Sequence, residues 1–261
     1  MSEATTRATP RPAADLAASV GFLTLLPTGR WDEDRPPRAV GWYGWVGWLV
    51  GAPVAGVTWL LLRFVVPARP MLTLLLGVVI VGSWALITRA LHWDGLADTF
   101  DGILGGSSPE RRLEIMRDSR IGAFGAVALL FTAIVEVVAV AALVEVGALW
   151  VLVMAAVIAR VAATAAAWTM PAARREGLGL TAMGDPGPYD VTVTVVACLA
   201  LLVFAPFAPA AFFAVMVVGV TASFGVPRVL ARQVGGMTGD LFGATVLLVE
   251  MIVLLTGALL T

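Results

Sequence analysis

Long apolar runs separated by short polar stretches fill most of this chain. Seven runs are candidates to cross a bilayer: roughly Val40–Leu62, Met71–Leu91, Gly122–Val144, Leu149–Met170, Val191–Phe207, Ala210–Val226 and Leu241–Thr261. A spanning helix needs about 20 residues to cover about 30 Å of hydrocarbon. The fifth and sixth runs are short, and Pro206 and Pro209 between them favour a tight turn. The alternative is one long broken helix, which lowers the count to six. Ahead of the first run, Met1 to Pro12 is polar and rich in Thr, Ala and Pro, the composition of a disordered tail. Leu16 to Pro27 is apolar but covers only about half the spanning length. It lacks a small-residue cleavage site and reads as an interfacial or re-entrant helix rather than a signal peptide. The pattern predicts an all-α, polytopic membrane bundle forming one domain over residues 1–261.

Arginine placement orients that bundle. All 17 basic residues are Arg. With seven spans, fourteen of them fall on one side, two (Arg63 and Arg69) on the other, and Arg160 lies within a span. Cytoplasmic loops carry the excess of positive charge, so the N-terminus is expected in the cytoplasm and the C-terminus outside. Three loops then share the cytoplasmic face: His92 to Arg120, Pro171 to Asp190, and Arg228 to Asp240.

Composition supports the bilayer and excludes other classes. The chain is 59% hydrophobic and 13% charged, whereas a soluble domain is about half apolar and a quarter charged. Net charge is −1, so no global field recruits nucleic acid. Cys198 is the single cysteine and forms no internal disulfide. His92 is the single histidine, which excludes a multi-histidine metal site.

The chemistry-bearing residues concentrate in HWDGLADTFDG, His92 to Gly102. Asp94, Asp98 and Asp101 fall at i, i+4 and i+7, within about 60° of helical arc, so their carboxylates share a face. Three carboxylates near a low-dielectric medium need neutralising, and Mg²⁺ takes a few carboxylates together with substrate phosphates. A solvated acidic loop is the plain alternative. Downstream, Ser108 and Pro109 read as the cap and first position of a helix. Glu114 and Asp118, four apart, are two further candidate ligands. Arg111, Arg117 and Arg120 are candidate phosphate binders, and Arg112 lies among them; a charged surface helix with internal ion pairs explains the same pattern. In GGMTGD, Gly236 and Thr238 could approach a phosphate, and Asp240 is either a ligand or a helix cap. Glu136, Arg160 and Glu250 lie within spans, where ionisable groups are expensive.

At these residues the sequence resembles a known family. HWDGLADTFDG, ERRLEIMRDSRIGAFG and GGMTGDLFGATV, with FLTLLP (Phe22 to Pro27) near the start, are similar to the signatures of adenosylcobinamide-GDP ribazoletransferase, also called cobalamin 5'-phosphate synthase. The likeness spans nearly the whole chain; Trp93 stands where the family more often has a small aliphatic residue. The resemblance implies joining of adenosylcobinamide-GDP to α-ribazole or its 5'-phosphate, with release of GMP, the nucleotide loop assembly step of cobalamin biosynthesis. It also implies a Mg²⁺ requirement and a place in the bacterial cytoplasmic membrane. On that reading Asp94, Asp98 and Asp101, with Asp118 and Glu114, hold the metal. Asp98 or Asp101 is the expected base, and His92 a candidate for assisting proton transfer. A looser likeness ties Asp98-Thr99-Phe100-Asp101-Gly102 to the D-x-x-D-G of CDP-alcohol phosphotransferases. A phospholipid-making enzyme of that type is therefore the alternative, and a cation-coupled transporter a more remote one. Oligomeric state, monomer or homo-oligomer, is left open.

Overall fold

The computed structural model describes residues 11–28, 39–65, 70–173 and 186–261. The expected tail up to residue 10, and Arg30, Arg35, Arg38, Arg69, Arg174 and Arg175, lie outside the described residues. In chain order the α-helices are α1 (Pro12–Leu23), α2 (Tyr43–Phe64), α3 (Pro70–Ile87), α4 (Leu91–Gly105), α5 (Pro109–Ile115), α6 (Ala123–Glu145), α7 (Trp150–Thr169), α8 (Pro188–Leu199), α9 (Pro209–Arg232) and α10 (Gly239–Leu260). Short 3₁₀ turns precede α2 and follow α8.

The axis of the bundle is α7. Its sequence is alanine-rich, and Ala155, Ala156, Ala159, Ala162, Ala163, Ala166 and Ala167 are all buried. Small side chains let neighbouring backbones close in, which is how helices associate where lipid removes the hydrophobic drive. Gly47 of α2 shows the effect: a Cβ there would stand 2.5 Å from the carbonyl oxygen of Ala156. Helices α2, α9 and α10 surround α7, while α3 packs on α6. Outward-facing Val57, Trp59, Leu75, Val127, Phe131, Val217 and Leu259 are exposed, as side chains facing lipid must be.

Five helical stretches are long and apolar enough to cross a membrane, and six if the bent pair α3–α4 counts as one. The expected run Val191–Phe207 falls in a shorter apolar helical stretch, Pro188–Phe204. The apolar stretch Leu16–Pro27 falls partly in α1, a shorter apolar helix that starts earlier, at Pro12, and ends at Leu23, with the Arg11 N–H donating to the Asp15 carboxylate.

One span differs from its sequence reading. The run Met71–Leu91 does not continue straight into the acidic segment: α3 stops at Ile87, and α4 leaves at 90°. Arg89 and Ala90 at the corner have φ of 55° and 53°. Residues with a Cβ rarely adopt that region, at roughly 1–3 kcal/mol each. The corner is held from outside. The Arg89 guanidinium donates to the carbonyls of Gly21 (2.9 Å) and Thr24 (2.8 Å), and the Leu25 N–H donates to Ile87 O (2.7 Å). The end of α1 thus straps the elbow that aims α4.

Candidate active site

Four glycines seat α5, α6 and α10 against α4. A Cβ on Gly95 would lie 2.6 Å from Asp240 O and 3.1 Å from Gly243 Cα, so the first turns of α4 and α10 cross backbone on backbone. A Cβ on Gly106 would lie 2.7 Å from Arg112 N, which seats α5 against the end of α4. At the start of α6, a Cβ on Gly122 or Gly125 would run into the Asp101 carboxylate. HWDGLADTFDG, the ERRLEIMRDSRIGAFG stretch and GGMTGDLFGATV are therefore neighbours in space, which their separation along the chain does not require.

The three aspartates of α4 have different surroundings. Asp94 is exposed at the edge of a cavity of about 800 Å³ and makes no side-chain hydrogen bond to the described residues. Asp98, one turn on, is half-buried. Asp101 is buried, and its two oxygens accept from Gly122 N–H (2.7 Å) and Gly125 N–H (2.9 Å). Those amides open α6, whose first-turn N–H groups have no partner inside the helix. Gly122 itself offers no side-chain cap, so Asp101 caps α6 from another helix and sets its negative charge at the positive end of the helix dipole.

The following helix begins as expected, with Ser108 accepting from Arg111 N–H at 3.3 Å. It ends at Ile115, so Asp118 lies past it and does not share a helical face with Glu114, and both carboxylates are paired locally. Glu114 meets Arg111 at 2.6 Å, and Asp118 meets Arg120 at 2.6 Å, both in solvent. Hydrogen bonds from Arg120 hold the Asp118 carboxyl down to about 2. Arg117 is exposed and makes no side-chain hydrogen bond to the described residues. Among the described residues, no three His, Cys, Asp or Glu side chains group so as to hold a metal ion by themselves. Asp94, Asp98, Asp101, Glu114 and Asp118 are thus not a preformed five-carboxylate cage.

Arg112 is a structural tie rather than a phosphate binder. It donates to Gly106 O, and to both the backbone and side-chain oxygens of Gln233 at 2.9 Å, linking α5 to the end of α9. In the glycine turn, Gly236 at φ 157° passes 2.6 Å (as a virtual Cβ) from Ala173 N, and Met237 bridges to Pro171 and Ala173. Thr238, not Asp240, caps α10: its hydroxyl accepts from Leu241 N–H at 3.2 Å and lies 3.3 Å from Asp240 Oδ2. Asp240 is half-buried beside α4.

His92 turns away from the aspartate face into the bundle. It is buried, and its Nε2 has no partner among the described residues. It lies within the electrostatic reach of Arg160. Arg160 of α7 pairs with Glu250 of α10 at 2.9 Å, both almost wholly buried, and Glu136 of α6 shares their field. These in-span charges answer one another across helices.

Comparison with known proteins places the chain in a family. A family model described as cobalamin-5-phosphate synthase matches residues 15–258. An adenosylcobinamide-GDP ribazoletransferase of Syntrophobacter fumaroxidans is 40% identical over 75% of this chain and 80% of its own length. Those of a Roseiflexus species (35% identical; 94% and 89%) and Bradyrhizobium diazoefficiens (36%; 94% and 93%) cover more. No solved structure matches the chain. With a match over nearly the whole length, the chain belongs to the cobalamin-5-phosphate synthase family.

Proposed function

We propose that this protein joins adenosylcobinamide-GDP to α-ribazole or α-ribazole 5'-phosphate, forming adenosylcobalamin or its 5'-phosphate and releasing GMP. The observation that carries this reading is the convergence of the three motifs on α4, which leaves the Asp94 and Asp98 side of that helix uncapped by α6. A ribose hydroxyl oxygen attacks the phosphorus bonded to the corrinoid arm. The bridging P–O bond breaks, GMP carries the bridging oxygen away, and the hydroxyl proton passes to a carboxylate of α4. Asp98 is our candidate base.

A Mg²⁺ ion fits the donor set without a cage. Mg²⁺ usually takes one or two carboxylates with substrate phosphates and water, and Asp94 and Asp98 supply that number at one face. When bound there it would neutralise diphosphate charge and stabilise the leaving group. Asp101 caps α6, and Glu114 and Asp118 are paired with Arg111 and Arg120 away from α4, so we assign them to shaping the site. Arg117, the arginine of this segment without an internal bond to the described residues, is the phosphate contact we favour; Arg111, Arg120, Gly236, Thr238 and Asp240 line the approach.

We further infer seven passes through the bacterial cytoplasmic membrane, counting the bent pair α3–α4 and the shorter stretch Pro188–Phe204 with the five long helices, and place the N-terminus and the α4 site on the cytoplasmic side; the arginine asymmetry supports this. One catalytic domain then occupies the chain, with residues 92–120 as its reactive segment. Purified protein incubated with the GDP-linked corrinoid and α-ribazole is expected to release GMP. Release of CMP from a CDP-alcohol instead would replace this reading with the phospholipid one.

A further inference from the structure

The cavity beside Asp94 has a composition that selects among the substrates. It is bounded by Phe22 of α1, the Arg89 corner, Trp93 and Asp94 of α4, and Ile121 and Leu129 at α6, and encloses about 800 Å³. Pockets of roughly 300–1,000 Å³ suit drug-sized molecules. Two aromatic side chains and aliphatic groups make up most of its wall. Its polar side chains are largely committed already: the Arg89 guanidinium to two α1 carbonyls, and the Thr88 hydroxyl to Trp84 O at 2.8 Å. Asp94 alone among them has no side-chain bond to a described residue.

The mainly apolar wall offers a diphosphate no free cationic or hydroxyl donor among the described residues, since Arg89 and Thr88 are engaged, while Asp94 at its edge accepts from a hydroxyl beside the metal it would share with Asp98. A corrin ring rimmed with amides would leave most of its polar groups without partners here, a penalty of several kcal/mol in all. An aromatic base attached to a ribose satisfies both walls, because its flat face lies on Trp93 within the apolar lining while a ribose hydroxyl reaches Asp94. We propose that this cavity is the seat of the aromatic nucleoside acceptor, with the guanosine diphosphate and corrin held outside it. The proposal rests on the transferase reading above and adds where the acceptor enters: through the space between α1 and α4 that the Arg89 strap keeps open.

Ile121→Trp tests it, since Ile121 is 62% exposed and a larger ring there intrudes on the cavity without entering the core. Phe22→Ala is the second variant and removes an aromatic face from the opposite wall. Binding of radiolabelled α-ribazole is measured by equilibrium dialysis on protein in nanodiscs, alongside KM for each substrate. The expected result is acceptor binding weakened at least tenfold in both variants, with KM for adenosylcobinamide-GDP within twofold of wild type. Unchanged acceptor binding in both, or a rise in the donor's KM instead, overturns the assignment. Because dialysis needs no turnover, acceptor binding without GMP release would sink the transferase reading and leave the cavity assignment standing. Absence of acceptor binding in the wild type would sink the cavity assignment.

Discussion

Replacing Asp101 separates structure from chemistry within a single acidic motif. Its carboxylate accepts from the amides of Gly122 and Gly125, the Gly125 bond buried and the Gly122 bond partly so. Hydrogen bonds to a charged group contribute about 1.5–3 kcal/mol each, and truncation strands the buried Gly125 donor as well. Asp101→Ala should therefore destabilise the fold by about 3–5 kcal/mol. At about 2–4 °C per kcal/mol for a chain of this size, the apparent melting temperature should fall by about 6–20 °C. Asp101→Asn keeps one acceptor but sets an amide NH₂ against the other N–H, so it should lie between wild type and Ala. The assay is thermal unfolding of detergent-solubilised protein followed by size-exclusion chromatography, with GMP release measured on the surviving fraction. An Asp101→Ala protein that melts within 2 °C of wild type yet releases no GMP would refute the capping role and return Asp101 to the catalytic set.

Other consequences follow from the same geometry. Gly125→Ala should cost stability comparable to Asp101→Ala, because a Cβ there collides with the Asp101 carboxylate and approaches Ala97 O to 2.8 Å; the two changes combined should be clearly less than additive in a thermal double-mutant cycle. Glu250→Ala leaves the Arg160 guanidinium unpaired in the bundle interior and should cost about 3–5 kcal/mol, read as loss of folded protein in detergent, with Glu250→Gln recovering part of it. Asp118 is held down to about 2 by Arg120. A depressed carboxyl contributes stability that is complete above its unfolded value and fades as pH falls through the folded one. Asp118→Asn should therefore leave the shape of the melting curve against pH unchanged from pH 5 to 8, and since the pair is fully solvated its effect there should be small.

Much of this fold could be read from local pattern. Each predicted apolar run falls mainly in a helix, because a buried-or-lipid-facing segment of about 20 residues has no other way to satisfy its backbone. The cap at Ser108 was legible because it depends on residues within one turn. The elbow was not: Thr88-Arg89-Ala90 contains neither Gly nor Pro, and its left-handed corner exists because Gly21 and Thr24, over sixty residues away, accept from Arg89. The shared face of Asp94, Asp98 and Asp101 followed from helical spacing, but their division of labour did not. Spacing along α4 cannot reveal that α6 ends its N-terminus on Asp101 while Asp94 opens onto a cavity. For the same reason Arg160 and Glu250 stood out singly as costly charges, and only the fold pairs them across 90 residues.

The central claim is that Asp94 and Asp98 of α4 carry phosphoryl transfer. Its most direct test is GMP release by Asp98→Ala, with adenosylcobinamide-GDP, α-ribazole and Mg²⁺ supplied to protein shown to melt at the wild-type temperature. The account predicts a rate reduced at least about 100-fold, the scale of a lost acid–base group. Undiminished Mg²⁺-dependent release by that variant would contradict it.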